Sequence, residues 1–267
     1  MKSLAWHKNK NSRRIVTVVD TVSYSSKIKS LIFKDQICRK AIPGQFVMVW
    51  ILGVDEIPLT LSTIDHEECS EITVKNVGIA TSALYSKISG SQIGIRGPYG
   101  NGFTIEDGKI LLVGGGIGMA TLIPLIEVLT KRDTNLTLVM GAKSKEDLVF
   151  LERVDKVLAN RKDRIMVTTD DGSYGISGTT IKIAEKVIKK NDIDVIYTCG
   201  PEEMMLELFK IAESFNIPLQ ASVERLMRCS IGICGSCYIG CFRTCIDGPV
   251  LNTNMLREVR EESEYKT

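Results

Sequence analysis

Five of the eight cysteines in this 267-residue chain lie within eighteen residues near its carboxyl end. They are Cys229, Cys234, Cys237, Cys241 and Cys245. The first three have the C-x4-C-x2-C spacing that, with a later fourth cysteine, holds a [2Fe–2S] cluster in one class of iron–sulfur protein. Gly232, Gly235 and Ser236 are small, so they leave room for backbone N–H groups to point at cluster sulfur atoms. The spacing therefore predicts an iron–sulfur site.

A structural zinc site is the main alternative for these thiols. Zinc is usually held by two C-x2–4-C pairs, and Cys237 with Cys241 would supply the second pair. Disulfides are disfavoured, because the basic stretch "MKSLAWHKNKNSRR" has no apolar core of a secretion signal and the thiols are expected to stay reduced. The spacing favours iron–sulfur over zinc and leaves open which residue is the fourth ligand.

Outside this segment, few side chains have the character of reactive groups. Cys38, Cys69 and Cys199 are isolated in β-rich runs and are predicted to be small buried hydrophobes. The two histidines, His7 and His66, lie in a basic tail and a polar loop, where a solvated surface role is expected. No catalytic acid, base or nucleophile is therefore predicted.

Two glycine-containing turns have the pattern of a nucleotide site. "VGGGIGMA" (113–120) lies between an apolar run and a helical pattern, and "CGP" (199–201) ends a later apolar run. Glycines at such turns let the backbone approach a phosphate or a flat cofactor at the positive end of a helix. The predicted contacts are Gly114, Gly115, Gly116, Ile117, Gly118, Cys199, Gly200 and Pro201. "TDDGSYG" (169–175) is predicted at the same sheet edge, where it could equally be a polar turn.

A third candidate lies in the amino-terminal half, in "VKNVGIATSAL" (74–84). Gly78, Ala80 and Thr81 are small residues at the opening of a short helix predicted over 81–88, another place where a pyrophosphate could bind. Helix capping alone would also explain Thr81. The sequence does not separate these two interpretations.

The elements that would position these residues fall into three parts. Short β-rich runs between turns predict an antiparallel barrel over 13–103, after a tail at 1–12. Four alternations of strand and helix then predict a doubly wound α/β domain over 104–220. Residues 221–267 form the cysteine segment and a tail. The predicted fold class is thus a β-barrel plus α/β.

Three stretches need an interpretation of their own. "ILLVGGGIGMATLIPLI" (110–126) has no charge, but it is shorter than the ~20 residues of a membrane span, and its glycines and proline favour a strand, a loop and a helix. "KEDLVFLERVDKVLAN" (145–160) has the pattern of a single helix. The charged "REVREESEYKT" (257–267) is predicted to fray.

Composition narrows the class of function further. Charged residues make up 25% and hydrophobic residues 44% of the chain, as in ordinary globular proteins. The formal net charge of +2 at pH 7 gives no indication of a nucleic-acid partner or of a membrane surface. With reduced thiols and no membrane span, the chain is predicted to be cytoplasmic.

These motifs together resemble the ferredoxin–NADP reductase superfamily. Within it, the chain looks most like the electron transfer subunits of NAD-linked dihydroorotate dehydrogenase, and the resemblance runs from about Arg13 to Leu251. It is carried by "PGQFVMVW", "GIRGPYGNGF", "VGGGIGMATL", "TDDGSYGISGTT", "YTCGPEEMM", "SVERLMRCSIGICGSC" and "CIDGPV". The resemblance implies a flavin-binding barrel, a nucleotide-binding domain and a small iron–sulfur segment.

The resemblance also implies a ligand set for the cluster. In that family the last ligand lies just before a D-G-P-V run. The implied ligands here are Cys229, Cys234, Cys237 and Cys245. Cys241 is then a spare. The loop from Cys237 to Cys245 is shorter than in many relatives, which could alter the exposure of the cluster and its potential.

FAD is implied to bind in the cleft of the barrel. The implied contacts are Pro58, Leu59, Thr60, Val74, Gly78, Ala80 and Thr81. The family usually has an arginine before the proline of its R-P-x-S/T motif, where its charge meets the FAD phosphate. Ile57 stands there in this chain, so the charge must come from elsewhere or be missing.

The function implied by the resemblance is an electron relay rather than chemistry on the pyrimidine. Electrons from dihydroorotate, oxidised at the FMN of a catalytic subunit, would pass through the [2Fe–2S] cluster and FAD to NAD in pyrimidine biosynthesis. The cofactors carry the chemistry and the protein places and tunes them. The expected assembly is a heterotetramer of two catalytic and two relay subunits, with the cysteine segment facing the partner.

Two rival hypotheses remain. Another reductase subunit of the superfamily could serve a hydrogenase, sulfide or glutamate synthase system. Some of those have aspartate at the first cluster position, so Cys229 and the "DGPV" sequel favour the dihydroorotate assignment. A rival of a different class is a zinc-stabilised interaction module with a vestigial nucleotide fold, which Ile57 makes conceivable.

Overall fold

The computed structural model describes residues 10–158 and 164–264. Its amino-terminal part is a closed barrel. Its strands are β1 (Arg14–Ser23), β2 (Ile28–Phe33), β3 (Phe46–Ile51), β4 (Asp55–His66), β5 (Cys69–Lys75) and β6 (Gln92–Tyr99). They close in the order β1-β2-β5-β4-β3-β6, and every neighbouring pair is antiparallel. Inward-pointing side chains such as Val18, Leu31 and Ile72 are fully buried. The predicted antiparallel barrel is confirmed.

A short helix, α1 (Ile79–Tyr85), lies between β5 and β6. It begins two residues before the predicted range of 81–88. The reason is local: Thr81 Oγ1 accepts hydrogen bonds from the backbone N–H groups of Val77 (3.0 Å) and Gly78 (2.9 Å), so the hydroxyl caps the helix from inside its first turn. Leu84 anchors the helix in the barrel core.

The second part is an α/β sandwich. Its parallel strands are β7 (Gly108–Gly115), β8 (Thr134–Ala142), β9 (Arg164–Thr169), β10 (Ile176–Ser177), β11 (Val195–Cys199) and β12 (Leu219–Ser222). Its helices are α2 (Met119–Leu129), α3 (Leu151–Leu158), α4 (Thr180–Lys190) and α5 (Glu202–Ser214). Ile110 and Leu112 pack with α2 on one face of β7, whereas Leu111 and Val113 pack with α4 and α5 on the other. Both faces of the sheet are therefore covered, as the continuous apolar run predicts.

The order of strands in this sheet reverses next to β7. From β7, the chain proceeds outward through β8, β9 and β10 on one side, and β11 and β12 lie on the other side. The connection after β7 therefore runs toward β8, whereas the connection after β11 runs the opposite way, toward β12. A crevice opens between them at the carboxyl ends of β7 and β11. This is the sheet edge to which both glycine turns belong.

The cysteine segment adds little regular structure of its own. It contains a hairpin of β13 (Tyr238–Ile239) and β14 (Phe242–Arg243), then β15 (Val250–Asn252) and α6 (Thr253–Glu264). Strand β15 pairs antiparallel with β12 and completes a seven-stranded sheet. The sheet therefore continues to Asn252, whereas the sequence pattern divides the chain at residue 220; that division remains a prediction.

The prediction of a single helix over 145–160 is wrong. Lys145–Asp147 forms one tight 3-10 turn, and α3 begins only at Leu151. Between them, Phe150 has a left-handed backbone (φ 64°) that no helix tolerates, and its buried ring packs on Tyr24 with ring centroids 4.7 Å apart. Tertiary packing of one aromatic ring thus outweighs the helical pattern. Residues 159 and 160 lie outside the described range.

The prediction that residues 257–267 fray is also wrong as far as the structure describes them. Helix α6 continues to Glu264. Two of its arginines, Arg257 (2.7 Å) and Arg260, donate to the carboxylate of Glu213 in α5, and Arg260 also lies over the Phe209 ring. The charges that suggested a free tail instead hold the helix against its neighbour.

The barrel and the α/β sheet meet along α2 and α3. Arg153 of α3 donates to Thr63 Oγ1 (2.8 Å) and Glu71 Oε2 (3.1 Å) of the barrel and to Glu127 Oε1 (2.6 Å) of α2. The apolar stretch 110–126 is divided between β7, a turn and α2. No helix in the described part of the chain is both long enough and apolar enough to span a membrane.

Candidate functional site

The two glycine turns are in direct contact across the crevice. A Cβ on Gly118 would lie 2.5 Å from the carbonyl oxygen of Cys199, and a Cβ on Gly200 would lie 3.0 Å from Gly115 Cα. These distances are too short for any side chain, so the two backbones approach this closely only because glycine occupies both positions. The structure therefore brings the predicted residues 114–118 and 199–201 together at one sheet edge.

A buried polar chain links this crevice to the barrel. Thr60 Oγ1 of β4 and Thr121 Oγ1 of α2 share a hydrogen bond of 2.9 Å. Burial raises the pKa of the Cys199 thiol to about 12, while hydrogen bonds with Thr121 and Ser222 oppose that rise. Cys199 is therefore a neutral thiol that joins the CGP turn to the candidate flavin motif through Thr121.

Glu224 lies at the rim of the same crevice, two residues after β12. Although the residue as a whole is exposed, desolvation of its carboxyl group raises the pKa of that group, and its charge acts on the Cys199 thiol. Thr121, Ser222 and Glu224 were not predicted as site residues. Two sequence signals could have identified them. Thr121 is a hydroxyl in the otherwise apolar first turn of a helix, and Glu224 is an acid directly after a short apolar run.

The candidate flavin residues of the barrel occupy different depths. Pro58, Leu59 and Thr60 are half-buried in β4, with Leu59 packed against the barrel core, whereas Val74 is fully buried in that core and could contribute only packing. Ile57 packs against the same core. The position that carries an arginine in the resembled family therefore contributes apolar contact here and no charge.

At the start of α1, the Thr81 hydroxyl is already used in capping, so it is not a free donor for a ligand. The space around Gly78 is open, with no atom within 4 Å of the position a Cβ would take. The flanking residues Val77 and Ile79 are 75% and 85% exposed. Ala80 follows Ile79 in the chain and packs against the barrel core. Together they form an uncovered apolar shelf at the mouth of the barrel.

Four of the clustered thiols form two pairs. Cys229 and Cys234 are hydrogen-bonded to each other near the surface, and Cys237 and Cys245 are hydrogen-bonded to each other in the interior. The pairs are neighbours, because the charge of Cys229 acts on Cys245. The four cysteines named by the resemblance are thus electrostatic neighbours, and each is affected by, or acts on, another member of the set.

The environment of the outer pair, Cys229 and Cys234, favours the thiolate form. Hydrogen bonds from the Ser236 hydroxyl and the Ser236 backbone N–H lower the pKa of Cys234 to about 6. Burial opposes ionisation of Cys229, but the N–H groups of Ile231, Cys234 and Ile233 point at its sulfur and lower its pKa overall. Backbone N–H groups directed at thiolates are what metal-bound sulfur requires.

The inner pair has the opposite environment. Burial, followed by the hydrogen bond with Cys237, raises the pKa of Cys245 to about 12. These thiols lie against the barrel in a small apolar cluster formed by Phe46, Met48, Tyr99, Met227, Cys237 and Cys245. The Cys245 thiol would therefore lose its proton only when a cation is present to replace it.

Cys241 is separated from the other four. It is exposed, its sulfur lies 3.7 Å from Glu258 Oε2, and burial together with the charges of Glu262 and Glu258 raises its pKa. A zinc site built on Cys237 and Cys241 therefore finds no support in this arrangement. Across residues 10–158 and 164–264, no three histidine, cysteine or acidic side chains converge on a single-ion site.

Two contacts seat the segment on the barrel. Arg96 of β6 donates to the Cys229 carbonyl oxygen (3.2 Å) while its other nitrogens bind both oxygens of Glu56 (2.8 and 2.7 Å). Asn101 donates to the carbonyl oxygens of Ile246 (3.2 Å) and Asp247 (3.1 Å). The loops that carry the first and last thiols of the set are therefore tied to the same barrel wall.

The residues present fit a two-iron cluster on an observation independent of spacing. Two hydroxyls next to these thiols, Ser230 Oγ and Thr244 Oγ1, are buried and have no hydrogen-bond partner among the described residues. Thiols, backbone N–H donors and two hydroxyls without a partner are thus concentrated in one short segment of the chain. A group with several sulfur acceptors and positive irons matches that environment.

Comparison with known proteins agrees with this geometry. A family model described as the oxidoreductase NAD-binding domain matches residues 112–208, and one described as the iron-sulfur cluster binding domain of dihydroorotate dehydrogenase B matches residues 224–257. A solved structure described as "Insights into flavin-based electron bifurcation via the NADH-dependent reduced ferredoxin-NADP oxidoreductase structure" is 29% identical, with a TM-score of 0.82, and covers 94% of this chain and 96% of that one. The fold and the site thus define an oxidoreductase of the ferredoxin–NADP reductase type.

Curated relatives narrow the assignment. A protein from Methanocaldococcus jannaschii named "Probable dihydroorotate dehydrogenase B (NAD(+)), electron transfer subunit" is 39% identical over 254 residues, which cover 94% of each chain. A protein of the same name from Pyrococcus horikoshii is 41% identical over 248 residues, which cover 92% of each chain. This chain belongs to the family of dihydroorotate dehydrogenase B electron transfer subunits, as its motifs predict.

Proposed function

We propose that this chain relays electrons from an FMN-containing, dihydroorotate-oxidising catalytic subunit to NAD, by way of a [2Fe–2S] cluster and FAD. The bound flavin exchanges two electrons with the nicotinamide and single electrons with the cluster. The observation that carries the proposal is the arrangement of four thiols in two pairs beside unpartnered hydroxyls, on the barrel that holds the candidate flavin motif.

The ligands proposed for the cluster are Cys229, Cys234, Cys237 and Cys245. Arg96 and Asn101 hold the loops that carry these ligands against the barrel. The barrel cleft along Pro58 to Thr60, with the apolar shelf at Gly78 to Thr81, is proposed to hold FAD. The inner thiols pack against strands β3 and β6 of the barrel. This position would bring the irons close to a flavin in that cleft, as electron transfer requires.

The crevice between β7 and β11 is proposed to receive NAD. Residues 114–118 and 199–201 would form its floor, where the backbones pack closely and the space around Gly116 is open, with no atom within 4 Å of the position a Cβ would take. Cys199 is buried and its thiol is neutral at physiological pH, so it supports the turn from the core side and does not exchange a proton with the nicotinamide. The Thr60–Thr121 pair marks the side of the crevice that faces the proposed flavin.

The outer thiol pair is surrounded by apolar side chains that face solvent. Leu226 is 67% exposed, Ile233 78%, Tyr238 50% and Ile231 44%. A patch of this kind around a redox centre favours docking of a protein partner, because burying it both removes apolar surface from water and excludes water from the electron path. We propose this face for the catalytic subunit, in an assembly of two catalytic and two relay subunits.

The proposed location of this assembly is the cytoplasm. All eight cysteines are free thiols, and thiols in this number stay reduced in a reducing compartment.

Co-purification tests the proposal. The tagged chain, expressed with its candidate FMN subunit, is expected to yield a brown-yellow complex that contains FAD, FMN, two irons per relay chain, and dihydroorotate-dependent NAD reduction. The matched control is the FMN subunit alone, which should oxidise dihydroorotate with an artificial acceptor but not with NAD. A complex without iron, or full NAD reduction by the FMN subunit alone, would overturn the proposal.

One observation favours a second candidate. The solved structure at a TM-score of 0.82 comes from a flavin-based electron-bifurcating ferredoxin–NADP oxidoreductase, so a relay subunit for a different flavin and iron–sulfur partner is the rival. Pull-down from the native cell distinguishes the two. Recovery of an FMN dihydroorotate dehydrogenase supports the first candidate, and recovery of a different oxidoreductase with NADH-dependent activity supports the second.

A further inference from the structure

Two hydroxyls beside the proposed cluster ligands are buried without a partner. Ser230, which follows Cys229, is 1% exposed, and Thr244, which precedes Cys245, is 0% exposed. Neither Ser230 Oγ nor Thr244 Oγ1 finds a hydrogen-bond partner among the residues that the structure describes. Unpartnered buried hydroxyls are rare and destabilising, so each of them needs an acceptor that the chain itself does not supply.

Each of the two hydroxyl residues is the chain neighbour of one thiol pair. In the chain, Ser230 directly follows Cys229 of the outer pair, and Thr244 directly precedes Cys245 of the inner pair. A third hydroxyl, that of Ser236, already lies 3.5 Å from the sulfur of Cys234. Three hydroxyl residues therefore lie within two positions of a proposed ligand in the chain, and of these only Ser236 has a recorded contact with a sulfur atom.

Backbone conformation gives no reason for a serine at position 230. Its φ is 61°, in the left-handed region that glycine adopts without cost. Gly235 in the same loop has a φ of 74° and no close neighbour, so the loop uses glycine where only this backbone conformation is needed. The serine hydroxyl is the feature that glycine would lack.

We infer that Ser230 and Thr244 donate hydrogen bonds to sulfur atoms of the bound cluster and raise its reduction potential. The inference rests on the proposed function, because it needs the cluster. One-electron reduction adds negative charge to the cluster, and a hydrogen bond donated to its sulfur stabilises the reduced form more than the oxidised form. Both residues are positioning and tuning groups, and neither binds iron.

The test is the midpoint potential of the cluster in the purified, cluster-loaded chain, followed by EPR during a redox titration. Ser230→Ala and Thr244→Val each remove one hydroxyl and keep the shape of the side chain. Each is expected to lower the equilibrium constant for cluster reduction by up to about tenfold, or ~59 mV for a one-electron couple. The double variant is expected to show about the sum of the two shifts.

Two matched controls separate a lost hydrogen bond to the cluster from a general loss of packing. Ser30 and Thr73 are also buried hydroxyls, but they bond to each other (2.8 Å) on strands β2 and β5, which do not neighbour the barrel wall that seats the cluster. Ser30→Ala and Thr73→Val should leave the potential unchanged. Ser230→Gly removes the hydroxyl while suiting the left-handed backbone, so it remains informative if the alanine variant folds poorly.

A second readout uses the wild-type chain. Exchange into heavy water should shift the iron–sulfur stretching bands in resonance Raman spectra, and the shift should be smaller in the double variant. Loaded variants with the potential and isotope shift of the wild type would overturn the inference and leave the proposed function intact. A wild-type chain that assembles no cluster would overturn both, and iron and sulfide analysis distinguishes the two outcomes.

Discussion

The nucleotide crevice and the cysteine segment are built in different ways. The crevice lies at the ends of two hydrogen-bonded parallel strands, β7 and β11, and backbone contact between Gly118 and the CGP turn fixes its floor. Apart from a hairpin of two two-residue strands, the cysteine segment has irregular structure from Val223 to Pro249, and polar contacts with the barrel hold it in place.

This difference shows what each site depends on. The crevice takes its shape from folding of the sheet, so steric changes in the backbone contact should damage it most. The cysteine segment has little regular secondary structure, so its order should depend on the ligands, on the bound irons and on its anchors to the barrel. Loss of one site should therefore leave the other largely intact, and the following predictions test that independence.

The largest effect is expected from removal of one ligand. Cys234→Ala should abolish assembly of the cluster, because three thiols cannot complete two iron sites. Cys241→Ala is the matched control, since Cys241 is equally exposed but faces Glu258, and it should retain the full cluster. Iron content and the EPR signal of the reduced chain measure the result. A cluster kept in Cys234→Ala, or lost in Cys241→Ala, would contradict the ligand assignment.

The next effect concerns the crevice. Gly118→Ala places a methyl group 2.5 Å from the Cys199 carbonyl oxygen, so the two turns must move apart. We expect the affinity for NADH to fall by about 10²-fold, because displacement of the binding backbone by about 1 Å has effects of that size. Gly53→Ala, in an open turn, should weaken folding slightly without affecting NADH affinity. Titration with NADH measures the affinity of both variants. An unchanged cluster spectrum in Gly118→Ala would support independence of the two sites.

A smaller effect is expected where the cysteine segment meets the barrel. Arg96→Ala leaves Glu56 without its main partner and frees the Cys229 carbonyl, so we expect a loss of about 1–3 kcal/mol in the free energy of unfolding. Arg13 binds the same carboxylate but is 52% exposed, so Arg13→Ala should cost about 0–1 kcal/mol. Urea unfolding gives both values. Faster removal of iron by a chelator in Arg96→Ala alone would identify Arg96 as an anchor of the segment.

The smallest effect concerns the barrel beneath both sites. Burial raises the pKa of Asp35, but hydrogen bonds from Arg14 and the Cys38 N–H prevail and hold it below the usual value. The stabilisation is therefore complete above the unfolded pKa of about 4 and is lost as pH falls through the lower folded value. Asp35→Asn should be about 1 kcal/mol less stable than the wild type at pH 7.

That difference should narrow as the pH falls below about 4, since the wild-type carboxylate is then protonated as well. Thermal unfolding between pH 3 and pH 7 measures the trend. A difference that stays constant with pH would mean that the charge of Asp35 does not contribute. Neither NADH affinity nor the cluster spectrum at pH 7 should change in this variant.

The fold was largely predictable because its signals are local. Apolar runs such as "KILLVGG" and short alternating stretches identified the barrel and the central strands. Strands β12 and β15 were not identified because they have only four and three residues, too few for a pattern. The break at Phe150 and the ordered helix α6 depend on a ring contact with Tyr24 and on ion pairs with Glu213, which join residues far apart in the chain.

The sequence by itself determined the types of chemistry: thiols at a cluster spacing, glycines at two turns, and strands that bring both turns to one edge. These follow from the reach of the chain and from local backbone preferences. Tertiary structure alone decided that Cys229 pairs with Cys234 and Cys237 with Cys245, that Cys241 faces helix α6, and that Ser230 and Thr244 are left without partners. Spacing limits how far apart two side chains can be, whereas which ones meet, and which are buried, depends on packing between distant segments.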